Sequence, residues 1–553
     1  MKETLLWLQL PVRKKPDGHC LYHSIKDIAQ WIERTSILPA GEQSRLYYSF
    51  LVEVNALDIP LQKRRDLLEQ LHPPILKLLH RLSKKCIGSG LPLNEEKNRL
   101  AELLGAFLTE MTTGYKIIID ELADMGLLSS FLKQKVLSLA IYFALYYSTL
   151  KLFYNYILYA DHHVNDWLDL HQLYQFAGKR HCLNRSLKSS SESVNTIAEI
   201  YKKILLFALA NPYHLSISEM ILLWNKLDNW SHYTELKITE KNKLPDSDFL
   251  VRPYSESPPF PKQLLSLQRE GYVSSLLWGF ETRDLISFLN NNAPFQSVSN
   301  SFLKRLLKTW SAETKRQDER QAMIEPVDMV PGITNISHFL GNVTLETQIH
   351  ELYDKQISST ASEHHDNEIP IFSAFLVDES RHGFRLKISQ KNEHALQPRI
   401  NEIMAVKHRD GSIHVGYLRW LMENRENEIV MGIEHLSSMA ESVQLVLTSH
   451  QDTALNNDLL NTRILDSFVF PGGKAQHFRP ILFTHSFIEK FAVSRNYVIK
   501  LIHKTGTINI QLIQKVDVVL DYNLYLFEKS EVKEKDKLQK EKTERFESLW
   551  DKL

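Results

Sequence analysis

The stretch FSAFLVDESRHGFRLKI, residues 372–388, decides how the C-terminal half of this chain folds. Two apolar runs, 372–377 and 384–388, flank the polar segment Asp378-Glu-Ser380-Arg-His-Gly383. Apolar runs separated by Asp, Ser and Gly read as two strands and the turn that joins them. Outward from this hairpin the period-two pattern continues. Residues 403–406, 413–418 and 429–433 read as strands, with Asp410-Gly411 and the polar stretch 423–427 as turns. A second series follows at 443–447, 481–483, 497–502, 508–513 and 518–526, punctuated by Pro471-Gly472-Gly473 and Thr505-Gly506. Short antiparallel strands at this spacing predict one or two small barrels.

Upstream the period changes to that of helices. Residues 22–235 read as one helix after another. Asn94 is placed to cap a helix opening with Glu95 and Glu96, which suit the positive end of the dipole. Leu100, Leu103, Leu104, Phe107, Leu108 and Met111 then recur at helical spacing. Ser216 and Glu219 have capping-box spacing. Pro73 and Pro74 interrupt an apolar pattern and predict two helices meeting there. The fold class is therefore multidomain α+β: an all-α N-terminal region, then a β-barrel, then a second small β-rich domain. The expected boundaries are a helical domain at 1–235, a linker or irregular β segment at 236–262 and connecting helices at 263–311. The first barrel spans 312–440 with an insertion at about 343–369, the second β-rich domain 441–528, and a charged tail 529–553.

The whole-chain properties agree. A chain of 553 residues exceeds one core and predicts two to four domains. Lys+Arg and Asp+Glu both number 66, so there is none of the basic excess of a general nucleic-acid or membrane-coating protein. Three scattered cysteines, Cys20, Cys86 and Cys182, fit a reducing, cytoplasmic setting. No secretory signal is expected at the N-terminus. The apolar segment 136–160 carries six tyrosines and Lys151, which suits a buried helix better than an integral membrane span.

Two short patterns flank the first β region and carry the chemistry. One is Arg316-Gln-Asp-Glu-Arg320, with Lys315 beside it; the other is Asp378, Ser380 and Gly383 in the hairpin above. Arginine offers a planar fork of donors that meets phosphate oxygens in pairs and stacks on aromatic faces. Asp378 can accept hydrogen bonds from the N–H edge of a guanine, and Ser380 can cap the turn or reach a phosphate. Gly383 allows a positive φ and a close backbone approach to a ligand. Each half alone is common; their order and β context point to recognition of an anionic nucleotide.

These features resemble a PilZ domain. Both motifs of that family, RxxxR and (D/N)xSxxG, match at Arg316/Arg320 and Asp378/Ser380/Gly383, and residues 412–420 and 428–434 resemble the strands that end its barrel. The resemblance covers about 312–440. It implies a small antiparallel barrel that binds cyclic di-GMP, with those five residues as the binding set and no cofactor. The insertion at 343–369, with an expected helix at 345–353 and a polar loop holding His364, His365 and Asp366, departs from the family pattern. Residues 167–174 and 210–215 also resemble the long helical N-terminal region of multidomain PilZ proteins. One stretch echoes a tetratricopeptide helix, without a second copy. The implied function is a non-enzymatic cytoplasmic effector that couples messenger binding to a protein partner docked on the helical region.

Other clusters read as structural. His19, Cys20 and His23 have no partner pair at zinc-site spacing. Asp161, His162, His163 and Asp166 read as a polar helix end rather than a hydrolase metal site, and Pro471-Gly472-Gly473-Lys474 lacks phosphate-loop spacing. The rival from another class is a protein-interaction adaptor with a degenerate barrel, in which Glu313, Asp318 or Glu319 occupies the arginines.

Overall fold

The computed structural model describes residues 8–16, 25–88, 91–123, 131–187, 196–239, 244–265, 276–292, 298–313, 320–340, 370–388, 398–426, 428–449, 463–470, 481–488, 497–503, 506–519 and 522–530. Two compact units emerge. The first comprises Met1–Gln317, Ser389–Gln397 and Trp420–Val430; the second comprises Asp318–Ile388, Pro398–Arg419 and Met431–Leu553.

The first unit is built on helices α1 (Ile25–Ser36), α2 (Ala40–Ala56), α3 (Leu61–Cys86), α4 (Glu95–Ala123), α5 (Phe131–Ile157), α6 (Asp166–Lys179), α7 (Ile197–Leu209) and α8 (Ile217–Trp230). Helix α4 starts as its sequence dictates: the Lys97 amide donates to the Asn94 side chain at 2.9 Å. Its buried stripe of Leu104, Phe107, Leu108, Met111, Tyr115 and Ile118 packs on α3 and α5. The Ser216–Glu219 capping box at the head of α8 is formed in both directions.

Helix α3 departs from expectation, because it runs unbroken through Pro73 and Pro74. Two prolines remove two amide donors and crowd the preceding turn. The stripe Leu67, Leu68, Leu71, Ile75, Leu78, Leu79 and Leu82 is nonetheless fully buried on both sides of them, and that tertiary packing holds one helix axis. Next to it, the fully buried Arg64 donates to the carbonyls of Val54 (2.8 Å) and Leu57 (2.6 Å), closing the C-terminal end of α2. Burial lowers its pKa to about 10.

Helix α5 is the one described helix long and apolar enough to cross a membrane, and 67% of that window is buried in the protein. Its polar groups are spent internally: Lys151 pairs with Asp166 at 2.9 Å and Tyr147 meets the His72 ring at 2.6 Å. Tyr115 stacks on Phe143 and Tyr147.

The stretch expected as a linker or irregular β segment forms part of a small sheet. Strands β1 (Glu235–Ile238), β2 (Phe249–Val251), β3 (Phe260–Pro261) and β4 (Trp278–Glu281) lie in the order β1-β4-β2-β3. Strands of two to four residues are too short to show alternation between prolines. Helices α9 (Arg283–Asn292) and α10 (Asn300–Trp310) complete this region, with the Trp310 indole donating to the Leu206 carbonyl at 3.2 Å. The first unit also contains a segment far along the chain: Glu423 pairs with Ala160, its amide donating to the Tyr159 carbonyl at 2.7 Å, and Arg425 pairs with Asp161 at 3.1 Å.

The second unit holds two closed six-stranded barrels. The first uses β5 (Gln321–Pro331), β6 (Phe372–Ser380), β7 (Gly383–Ile388), β8 (Ile403–Lys407), β9 (Ile413–Glu423) and β10 (Ile429–Ser437), with helix α11 (Ile333–Phe339) after β5. The second uses β11 (Glu441–Ser449), β12 (Arg463–Phe470), β13 (Ile481–His485), β14 (Tyr497–His503), β15 (Gly506–Val519) and β16 (Tyr522–Lys529). Residues 441–529 thus form a separate barrel rather than an extension of the first. Numbered within each barrel, both rings run first-second-third-sixth-fifth-fourth.

The two barrels share an apolar contact. Val330, Ile403, Ala405, Val415 and Tyr417 of the first join Phe468, Phe470, Phe483 and Leu524 of the second in one buried cluster, with Ile336 of α11 among them. The second barrel's own interior is a different cluster, Val443, Leu445, Leu447, Leu482, Ile499, Leu501, Tyr525 and Phe527. Strand β13 therefore uses both faces, Leu482 inward and Phe483 outward.

Candidate nucleotide-binding site

The hairpin of β6 and β7 starts as a regular antiparallel pair. Phe375 faces Lys387 and Leu376 faces Leu386, with Ala374, Leu376, Leu386 and Ile388 buried. The register then shifts, so that Asp378 pairs with Arg385, Glu379 with Phe384 and Ser380 with Gly383. Strand β5 shifts opposite it, between Ala322 and Glu325. An extra residue in a strand reverses which face the following side chains take. Without the shift Asp378 would follow Ala374 and Leu376 into the core; with it, Asp378 shares a face with Arg385.

Asp378 is the centre of the site. It is only 6% exposed, and each of its oxygens meets a guanidinium: Oδ1 lies 2.7 Å from Arg320 Nη1 and Oδ2 lies 2.5 Å from Arg385 Nη2. A buried carboxylate is stable only when so satisfied. Arg320 leads directly into β5, and 58 positions separate it from Asp378. The fold therefore brings the second arginine of one motif against the aspartate of the other. Asp318 and Glu319, the carboxylates nearest Arg320 in sequence, lie outside the described residues.

Ser380 donates to the Gly383 carbonyl at 3.3 Å across the turn. Gly383 has a different reason from the one its motif suggested. It is not among the residues with positive φ. A Cβ there would lie 2.2 Å from the Ile433 carbonyl oxygen, so only glycine lets β7 pass this close to β10. Arg316, and the insertion with His364, His365 and Asp366, lie outside the described residues, as do His19, Cys20, His23 and Pro471–Lys474.

Sequence reasoning missed two features. Arg385 is one; its only signal is the alternation Phe384, Arg385, Leu386, Lys387, which puts arginine on the outer face just after the motif glycine. The other is a group of imidazoles around Phe384. His408, His414 and His435 lie with ring centroids 5.6, 5.3 and 5.6 Å from it, and His414 Nδ1 is 3.3 Å from His435 Nε2. The His435 amide donates to the His382 carbonyl at 2.9 Å, tying this group to the motif turn. Burial, with His408 and His435 adjacent, pulls the His414 pKa down to about 4; burial also lowers that of His435. His414 and His435 are therefore neutral packing groups near neutral pH.

Asp161 and Asp166 are engaged by Arg425 and Lys151, as a polar helix end would be. Among the described residues no group of three His, Cys, Asp or Glu side chains is placed to hold a metal ion.

Comparison with known proteins agrees with this architecture. Residues 26–242 match the family described as the N-terminal domain of the cyclic-di-GMP receptor FimW. Residues 344–442 match the family described as the middle PilZ domain of that receptor. The second match includes Asp378, Ser380 and Gly383 and begins after Arg320. The Cyclic-di-GMP receptor FimW of Pseudomonas aeruginosa is 24% identical over 331 residues, covering 57% of this chain and 53% of its own length. The chain thus spans about half the length of that relative. No solved structure matches the chain. With the helical region and the barrel each matched in order, the chain is a multidomain PilZ-domain protein with a long helical N-terminal region.

Proposed function

We propose that this protein is a cyclic di-GMP receptor whose ligand site is the outer surface of β5, β6 and β7. Arg320 and Arg316 grip the phosphodiesters, Asp378 accepts from a guanine edge, and Ser380 and Gly383 shape the turn. The observation that carries this reading is the 2.7 Å contact between Arg320 and Asp378, which joins both motifs at one surface point. A relative whose name is that of a cyclic-di-GMP receptor supports it.

Micromolar affinity corresponds to about −8 kcal/mol. A few charge-assisted hydrogen bonds of about 1.5–3 kcal/mol each, with stacking added and association entropy subtracted, reach that value. The segment that carries the arginines also joins α10 to β5 in the chain, so a ligand held there acts on the connection between helices and barrel. A ligand does this only by binding one arrangement better than another. The helical region then serves as the docking surface for a protein partner, in the cytoplasm, where buried free Cys86 and Cys182 suit reducing conditions. The protein acts by binding, not catalysis, and needs no cofactor.

The test is calorimetric titration of the purified chain with cyclic di-GMP, with cyclic di-AMP and GTP as controls. Saturable binding at micromolar concentration or better, lost in Arg316→Ala and in Arg320→Ala, is the expected result. No binding at low salt would leave the barrel as a protein-interaction module.

A further inference from the structure

We propose that Arg385, which lies outside both motifs, is a third guanidinium of the ligand site and binds a phosphodiester directly; this rests on the reading of the first barrel as a cyclic di-GMP receptor. Strand pairing sets Arg385 opposite Asp378, and the register shift puts both on one face. The side chain is 41% exposed, so a ligand can reach it.

Two features show that its present contact does not exhaust it. Asp378 supplies one negative charge, whereas Arg320 and Arg385 bring two positive ones to it. The surplus attracts an anion, and the planar fork matches the two free oxygens of a phosphodiester. In addition, Nε of Arg385 is buried and has no hydrogen-bond partner among the described residues. A buried donor left unpaired is costly, and an arriving acceptor relieves that cost. In the ligand-free protein Arg385 holds the carboxylate in place. When the messenger binds, the guanine edge takes up part of Asp378, and Arg385 turns to the phosphate.

The experiment titrates cyclic di-GMP into the full chain and into Arg385→Ala, Arg385→Lys, Asp378→Asn and the Asp378→Asn/Arg385→Ala double variant. Urea unfolding of each is measured in parallel. Arg385→Ala is expected to bind about 10- to 100-fold more weakly, with Arg385→Lys in between because it keeps charge but loses the fork. The loss should persist when Asp378 is already Asn. Unchanged affinity in Arg385→Ala overturns the proposal. So does a loss that vanishes in the Asp378→Asn background, which would make Arg385 a positioning residue for the carboxylate. If Arg385→Ala does not fold, Arg385→Lys decides: a folded protein with unaltered affinity and unaltered salt dependence overturns it. Absence of binding by the unaltered chain fails the receptor reading itself, and this inference with it.

Discussion

The two barrels share one ring order but turn their second and third strands to opposite uses. In the first, the outer face of β6 and β7 carries Asp378, Ser380 and Arg385 beside Arg320. In the second, the outer face of β12 and β13 carries Phe468, Phe470 and Phe483, sealed against the first barrel. The approach to the first strand differs too. Between Ser437 and Glu441 the chain has room for only Ser438, Met439 and Ala440, with no place for an arginine pair. Topology sets where a ligand face could be; side chains on the outer faces decide whether there is one.

This contrast can be broken in several ways. The largest effect expected is on binding. Arg320→Ala should reduce cyclic di-GMP affinity by more than about 100-fold, since it removes charge-assisted contacts and leaves Asp378 with one partner. Titration that still saturates near the original concentration would move the site off the first barrel, and the two barrels would no longer differ as described.

The contact between the barrels is tested by Phe483→Ala. Removing a fully buried aromatic ring should cost about 3–5 kcal/mol in denaturant unfolding, while a ligand site on the opposite use of the fold should shift less than about threefold. An unaffected unfolding midpoint would mean that the second barrel is not held by that face.

A smaller loss is expected from Gly383→Ala, where a methyl group would meet the Ile433 carbonyl at 2.2 Å; about 1–3 kcal/mol follows from forcing β7 and β10 apart. Gly105→Ala is the control. It sits within α4 with nothing within 4 Å of the added atom and should gain up to about 1 kcal/mol. Equal behaviour of the two variants would remove close strand packing as the reason for the motif glycine.

The smallest effect is on pH dependence. His414, facing His408, His435, Asp410 and Phe384, has its pKa lowered to about 4 in the folded protein, against about 6.5 when unfolded. The unfolded chain therefore takes up a proton first as pH falls. This contribution is intact above about pH 6.5 and is lost as pH drops towards about 4. His171, buried against Tyr201 and also lowered to about 4, adds to the same slope from the helical region. Replacing His414 by Gln should flatten part of the acid slope of stability. An identical slope in that variant would place the whole effect outside the first barrel.

Much of this was legible in residue order. Period-two alternation marked most strands of both barrels, though not β5 or β12, and it ran the end of β15 into β16; Asn94, Ser216 and Glu219 marked helix starts that form as capped ends. What escaped depends on non-local forces. Nothing local predicts that α3 will run through Pro73 and Pro74, because packing on neighbouring helices holds it. The face taken by Asp378 is set by a register shift that period-two reading cannot see, and Arg385 became visible only with it. Phe468 and Phe470 lie on β12, which no local pattern marked, and with Phe483 they pack on a partner that begins more than a hundred positions earlier, at Val330.

The shared apolar contact also has a consequence for synthesis. The chain emerges from the ribosome N-terminus first, so the first barrel can close before β12, β13 and β16 exist. Until then Val330, Ile403, Ala405, Val415 and Tyr417 lack the surface that covers them. A nascent chain or fragment ending near residue 440 would carry that bare patch and invite self-association or chaperone capture. The second barrel to be translated is thus the one that makes the first safe to release.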